Sequence, residues 1–183
     1  VLADLSLTAL LEELAAPREV PGSGSALAVA LATAAATVQM AARLSAGSWE
    51  DATGVAAQAE SLRERAAELA DVDADAYRQA LEAREAQADD KQERRDWALG
   101  RATAAAAQPP LALVRLAADL AELCRGAAER VEPHVQADVA AAGALAAGVA
   151  RGARELVAVN LTALPDDPRV AEADRLAAEA AGP

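Results

Sequence analysis

The sequence predicts an all-α fold, a bundle of long alanine-rich helices, on three observations. Apolar residues make up 54% of the 183 positions, yet aromatic residues supply only 2% and phenylalanine is absent. Alanine therefore dominates, and it both favours helix and lets helix backbones approach closely. Apolar positions recur at three-four spacing through most of the chain, and glycine and proline punctuate those runs. The length suits one domain, residues 1–183, with a real core. A core with so few large side chains buries little area per residue, so a homodimer that shares its core is expected.

The elements follow in order. Leu5 to Ala16 reads as an amphipathic helix with Leu7, Leu10, Leu11 and Leu14 on one side, stopped by Pro17. A second helix runs from Ser25 to about Ser45, apolar nearly all round as a central helix would be, with Ser25 as its N-cap and Gly47-Ser48 as its break. The third covers Glu50 to about Ala86. Its stripe is Val55, Ala59, Leu62, Ala66, Leu69, Asp73, Ala76 and Ala80. Residues Ala88 to Arg95 are strongly charged and read as a solvated bend or helix start, with helix resuming from Trp97 to Ala107. Pro109-Pro110 either kinks that helix or opens a new one carrying Leu113, Leu116, Ala117, Leu120, Cys124 and Ala127. Glu132-Pro133 ends it, and a long helix from about Val135 to Leu161 follows. Pro165 and Pro168 bracket a turn before a short helix to Ala181.

Charge and cysteine content exclude several functions. The formal net charge is −12, with no basic arm or aromatic-laced basic patch, which argues against a nucleic-acid partner. The single Cys124 excludes an intrachain disulfide framework and a cysteine metal cluster, and fits a reducing cytoplasm. No signal peptide is evident, and because the sequence does not begin with Met, an upstream segment is allowed for. The apolar run from Ala26 to Ala42 is shorter than a membrane span, contains Gln39 and is followed by Arg43, so no membrane association is expected.

Few residues carry chemistry. Pro21-Gly22-Ser23-Gly24-Ser25 is either a plain turn before a capped helix or a helix start whose free amides hold a carboxylate or phosphate. Asp73 lies on an apolar stripe, where an ionised carboxylate is costly unless paired, solvated or used. It is a candidate proton carrier, or the stripe rotates and it meets water beside Asp71 and Asp75. Asp138 reads first as an acid complementing the start of its helix. Asn160 is a helix-end cap or a ligand hydrogen-bonder. The two are 22 residues apart, roughly 33 Å along one helix at ~1.5 Å per residue, so both serve one site only across a subunit boundary or a long groove. His134, the only histidine, reads as a surface residue, and Cys124 as a small core residue. No metal site, Ser-His-Asp arrangement, P-loop or dinucleotide fingerprint is present in the pattern.

Taken together and in order, these landmarks resemble the cyclodeaminase/cyclohydrolase family, which includes the C-terminal domain of formimidoyltransferase-cyclodeaminase and stand-alone methenyltetrahydrofolate cyclohydrolases. The matching segments are Leu10 to Ala16, the Pro21–Ser25 loop opening Ala26 to Leu44, and Asp71, Asp73, Ala76 and Tyr77. They continue with Ala104 to Leu111, Glu132-Pro133-His134-Val135-Gln136-Ala137-Asp138, and Val159-Asn160-Leu161. The chain departs from the family pattern at Ser23, where the middle glycine of Pro-Gly-Gly-Gly-Ser is expected. Glu-Pro-His stands for Asn-Pro-Asn, Ala137 for Ser, and the family's Leu-Pro-Lys is missing from Ala83 to Ala88.

The resemblance implies an all-α folate-binding domain, usually dimeric, that handles a tetrahydrofolate derivative without a prosthetic group. Members close N5-formiminotetrahydrofolate to the 5,10-methenyl form with loss of ammonia, or interconvert the methenyl and 10-formyl forms with water. It implies Asp73 as proton shuttle, Gly22 to Ser25 positioning the pterin or an anionic part of the folate, and Asp138 and Asn160 lining the groove or subunit boundary. The alternative is a helical dimer of the same family that binds folate, or only scaffolds, without turnover.

Overall fold

The computed structural model describes residues 1–85, 100–164 and 166–182. The charged stretch from Ala88 to Arg95, the helix start at Trp97 and Pro165 lie outside the described residues. The helices are α1 (Leu7–Ala15), α2 (Ser23–Leu44), α3 (Ala52–Glu85), α4 (Gln108–Ala127), α5 (Gln136–Asn160) and α6 (Pro168–Ala181). Residues 100–106 are also helical, short 3-10 turns occupy Leu2–Asp4 and Pro133–Val135, and the described residues contain no strand.

α2 is the central helix. It packs against α3 along its length, against α5 and against α4. Alanine makes this arrangement possible: Ala28, Ala34, Ala35, Ala41 and Ala42 of α2 are fully buried and let neighbouring backbones come close. The larger core side chains, Leu31, Val38, Leu111, Leu113, Leu116 and Leu120, fill what the alanines leave. Gly152 of α5 shows the closeness directly, since a methyl group there would lie 3.0 Å from the Leu27 side chain.

Polar contacts fix the corners. Ser45 donates to Ala41 O at 2.8 Å and accepts from the Glu132 amide at 2.9 Å, and Ser48 donates to the Glu132 carboxylate. That clamp explains the Glu132-Pro133 break: it holds the turn before α5 against the end of α2. α4 opens at Gln108 with prolines in its first turn, where their missing amides cost nothing. Arg115 holds Glu172 through two bonds of 2.8 and 2.9 Å, tying α4 to α6. Asp167 caps α6 through the Arg169 amide, and the Arg169 guanidinium beside it holds the carboxyl down at about 2.

Three expectations need correction. α1 presents Leu10 alone to the core, while Leu7 and Leu11 are 69% and 56% exposed, because the short helix touches the bundle along one edge. α2 begins three residues earlier than the serine cap predicts, with Gly22 as N-cap and Ser25 inside the first turn. The apolar stretch is also longer than the Ala26–Ala42 run. The whole of α2 has 22 residues with a mean hydropathy of 1.6 over its best window, long and apolar enough to cross a membrane, and half of that window is buried in the bundle. Cys124 is buried as expected, and burial pushes its thiol up to about 11.

Candidate active site

Four pieces of chain close around a cavity of about 370 Å³ at one end of the bundle. The first turn of α2 contributes Gly22, Ser23 and Gly24, with Glu19 from the linker before it. α3 contributes Asp73 and Tyr77, four residues apart and hence on one face. Ala106 and Pro110 come from either side of the start of α4, and Leu156, Val159 and Asn160 from the last turn of α5. The i, i+3, i+4 spacing of these last three brings them to the same side of their helix.

Asp73 is the buried carboxyl group of the cavity. It is 8% exposed, and no cation pairs with it among the described residues. Burial raises its carboxyl from 3.8 to about 6, and the neighbouring Ser25 backbone amide pulls it partly back. Gly24 makes room for this group. A methyl there would sit 2.2 to 2.3 Å from three atoms of the Asp73 carboxyl group, so the carboxylate occupies the space a side chain at position 24 would need.

The surrounding polar side chains are Glu19, Ser23, Tyr77 and Asn160. Asn160 donates its Nδ2 hydrogen to Ala106 O at 3.0 Å, which joins the end of α5 to the chain before α4 and leaves its Oδ1 free to accept. Glu19 faces Arg84 at 3.4 Å. Tyr77 is 37% exposed at the cavity wall. Among the described residues, no lysine or arginine lines the cavity.

Of the residues singled out in the sequence, Gly22, Ser23, Gly24, Asp73 and Asn160 meet here. Pro21 and Ser25 are buried behind the wall, Pro21 following a cis peptide bond from Val20 and Ser25 bonded to Ala70 O. Asp138 is not brought in: it sits half-buried in the first turn of α5, at the far end of the helix that carries Asn160. His134 is exposed near that same far end. Sequence reasoning passed over Glu19, Leu156 and Val159 as site residues. The last two were available from the spacing around Asn160, whereas Glu19 enters through the linker's path. A larger groove of about 620 Å³ between α3 and α4 contains Asp51, Arg65, Asp119, Glu122 and Arg130, but none of the predicted residues and no buried titratable group.

The sequence profile of the family described as formiminotransferase-cyclodeaminase matches residues 6–179. The chain belongs to that family. Among solved structures, the crystal structure of formiminotetrahydrofolate cyclodeaminase from Thermotoga maritima aligns with a TM-score of 0.83, 21% sequence identity, and coverage of 97% of this chain and 92% of that one. At that identity the likeness is one of fold. No curated protein matched the chain. For a member of the formiminotransferase-cyclodeaminase family, the matched span contains every motif noted in the sequence, including the turn of α3 that carries Asp73.

Proposed function

We propose that this chain is a formiminotetrahydrofolate cyclodeaminase, in which Asp73 moves the proton. The supporting observation is the buried Asp73 carboxyl group, with no cation beside it among the described residues, seated against Gly24 in a cavity walled by Tyr77, Pro110 and Leu156. A formimino group is a planar cation at neutral pH, and a cavity with the Asp73 and Glu19 carboxyl groups and, among the described residues, no lysine or arginine suits it.

The reaction then runs in balanced steps. The N10 lone pair attacks the formimino carbon, forming the new C–N bond and a tetrahedral centre. Asp73, ionised above about 6, takes the N10 proton. The resulting carboxylic acid passes that proton to the departing nitrogen, the second C–N bond breaks, ammonia leaves, and the N5 lone pair completes the methenyl cation. Asp73 ends as it began. The exchange of one C–N bond for another involves no net oxidation, so the reading needs neither prosthetic group nor metal. The free first-turn amides of α2 at Ser23 and Gly24 are placed to receive an acceptor edge of the substrate.

The test is to supply 5-formiminotetrahydrofolate and follow the methenyl absorbance, with 5,10-methenyltetrahydrofolate in parallel. Methenyl formation that depends on Asp73 supports the cyclodeaminase. Asp73-dependent loss of methenyl alone makes the protein a cyclohydrolase. Folate binding without either turnover points to the degenerate binding protein that the missing Leu-Pro-Lys segment favours.

The same reading includes a homodimer. The outer face of α2, formed by Val29, Ala30, Thr33, Thr37, Met40 and Leu44, carries no charge and is only partly covered by the bundle, with Thr33, Met40 and Leu44 exposed, and Leu145 of α5 is 47% exposed. A second copy is the occupant that supports both this face and the small core.

A further inference from the structure

Ser25 is completely buried and takes no part in lining the cavity, yet it is joined to the turn that carries Asp73. Its hydroxyl donates to Ala70 O at 2.8 Å, across the contact between α2 and α3. Ala70 lies one helical turn before Asp73, and its carbonyl already has an acceptor role within α3. On the other side of the same turn, the Leu2 amide donates to Asp71 Oδ1 at 2.8 Å. The turn is therefore held from two directions.

The backbone of α2 adds the rest. The first intrahelical bond is from the Ala26 amide to Gly22 O, so the amides of Ser23, Gly24 and Ser25 have no acceptor within the helix. The Ser25 amide lies toward the carboxyl of Asp73, and the carboxyl rests against Gly24. Sliding the first turn of α2 along α3 by even an ångström would separate them. We propose that Ser25 is a positioning residue for Asp73: its hydroxyl clamps the first turn of α2 to Ala70 and so holds the Gly24 notch and the Ser25 amide against the carboxyl group.

The inference rests on the reading of Asp73 as the proton carrier, but it is testable without turnover. Few other ionisable groups face Asp73 among the described residues. Glu19 comes from the linker and is matched by Arg84, Tyr77 stands one turn along α3, and Asp71 and Asp75 flank it, bound to the Leu2 amide and to Arg78. The first turn of α2, the start of α4 and the end of α5 bring no ionisable side chain to the cavity. With the clamp removed, Asp73 keeps its burial and loses the amide that offsets it, so its proton affinity rises.

The experiment is a pH titration of the aspartate carboxyl carbons by NMR on the full chain, with Asp73 assigned by its disappearance in Asp73→Asn. Ser25→Ala is expected to move the Asp73 midpoint upward by about half a pH unit, roughly a threefold gain in proton affinity. Ser25→Cys, which keeps the shape with a weaker donor, is expected to lie between the two. The acid limb of turnover should move with the midpoint. If Ser25→Ala does not fold, Ser25→Cys carries the test alone. An unchanged or lowered midpoint in a folded variant overturns the proposal, even if the melting temperature falls, because Ser25 would then be structural only. Absence of folate turnover in the unmodified protein would defeat the proposed reaction and leave the carboxyl titration to decide the positioning role.

Discussion

Moving the Asp73 carboxyl out of water raises its proton affinity from 3.8 to about 6, and this has consequences for both stability and rate. The folded value lies above the unfolded one, so this group's contribution to stability is fully present below about 3.8 and is lost as pH rises through about 6. At neutral pH the buried charge costs up to about 3 kcal/mol. Asp73→Asn is therefore expected to stabilise the protein by about 1–2 kcal/mol at neutral pH, with the gain shrinking toward pH 4, as thermal melts at both values would record. The same change should cut turnover on the order of 10²- to 10⁴-fold, the usual range for removing a general acid–base. A variant that turns over normally, or that is less stable at neutral pH, would sink the assignment. In the unmodified protein the proposed mechanism predicts that activity falls as pH drops through about 6, since it assigns removal of the N10 proton to the ionised carboxylate. Gly24→Ala tests the same atom from the other side. Its methyl group cannot share space with a carboxyl group 2.2 Å away, so the carboxylate must move. A displacement of that kind costs on the order of a hundredfold in kcat/KM, with folding measured by circular dichroism expected to persist.

Helix existence was legible in the sequence because spacing and composition agree: the α3 stripe carries Asp73 inward, and Pro109-Pro110 opens α4. Helix starts were less so. Ser25 is a good N-cap by residue type, but its hydroxyl is drawn to Ala70 O across the interface, and the cap passes to Gly22. The leucine face of α1 misled for a related reason, since periodicity reports what a helix can bury and not whether the fold has surface to receive it. In the site, Asp73, Gly24 and Asn160 were found from local oddity: a charge on an apolar stripe, a glycine at a helix start, an amide at a helix end. Glu19 has no such mark, as only the path of the linker brings it to the cavity. The alanine-rich packing itself makes a prediction about α2. The buried core that contains Leu31 is largely alanine, already at minimal size and unable to reach into a void. Leu31→Ala is thus expected to fall in the upper half of the usual ~2–5 kcal/mol range for such truncations, measured by urea unfolding. A loss under about 1 kcal/mol would show that the helices close up on one another more readily than their packing implies.

At the scale of the molecule, the distribution of charge decides what can approach what. The chain carries a net charge of −12, yet from Ser23 to Ala42 α2 contains no ionisable side chain, and its outward positions are Val29, Ala30, Thr33, Thr37 and Met40 before Arg43 ends the run. A helix of 22 residues is roughly 33 Å long. Laid beside α5, it offers a strip on the order of 600–700 Å² per copy, close to the ~800 Å² per partner of a stable interface. On an acidic protein, an uncharged strip is a place where two copies can meet without opposing their own charge, and a twofold arrangement makes the strip its own complement. Leu156 and Val159 extend the same apolar character from α5 to the wall of the cavity, so the pairing would also shield the site from water. Met40→Glu places a charge on that strip at the end remote from Asp73 and Asn160, and is expected to give monomers by light scattering at micromolar concentration, with the unmodified protein expected to run as a dimer. Added salt should strengthen the unmodified dimer by screening the acidic surfaces outside the strip. If both proteins run as monomers, the second copy is not the occupant of this face. If both run as dimers, the pairing uses another surface and the cavity wall at Val159 stays open to solvent.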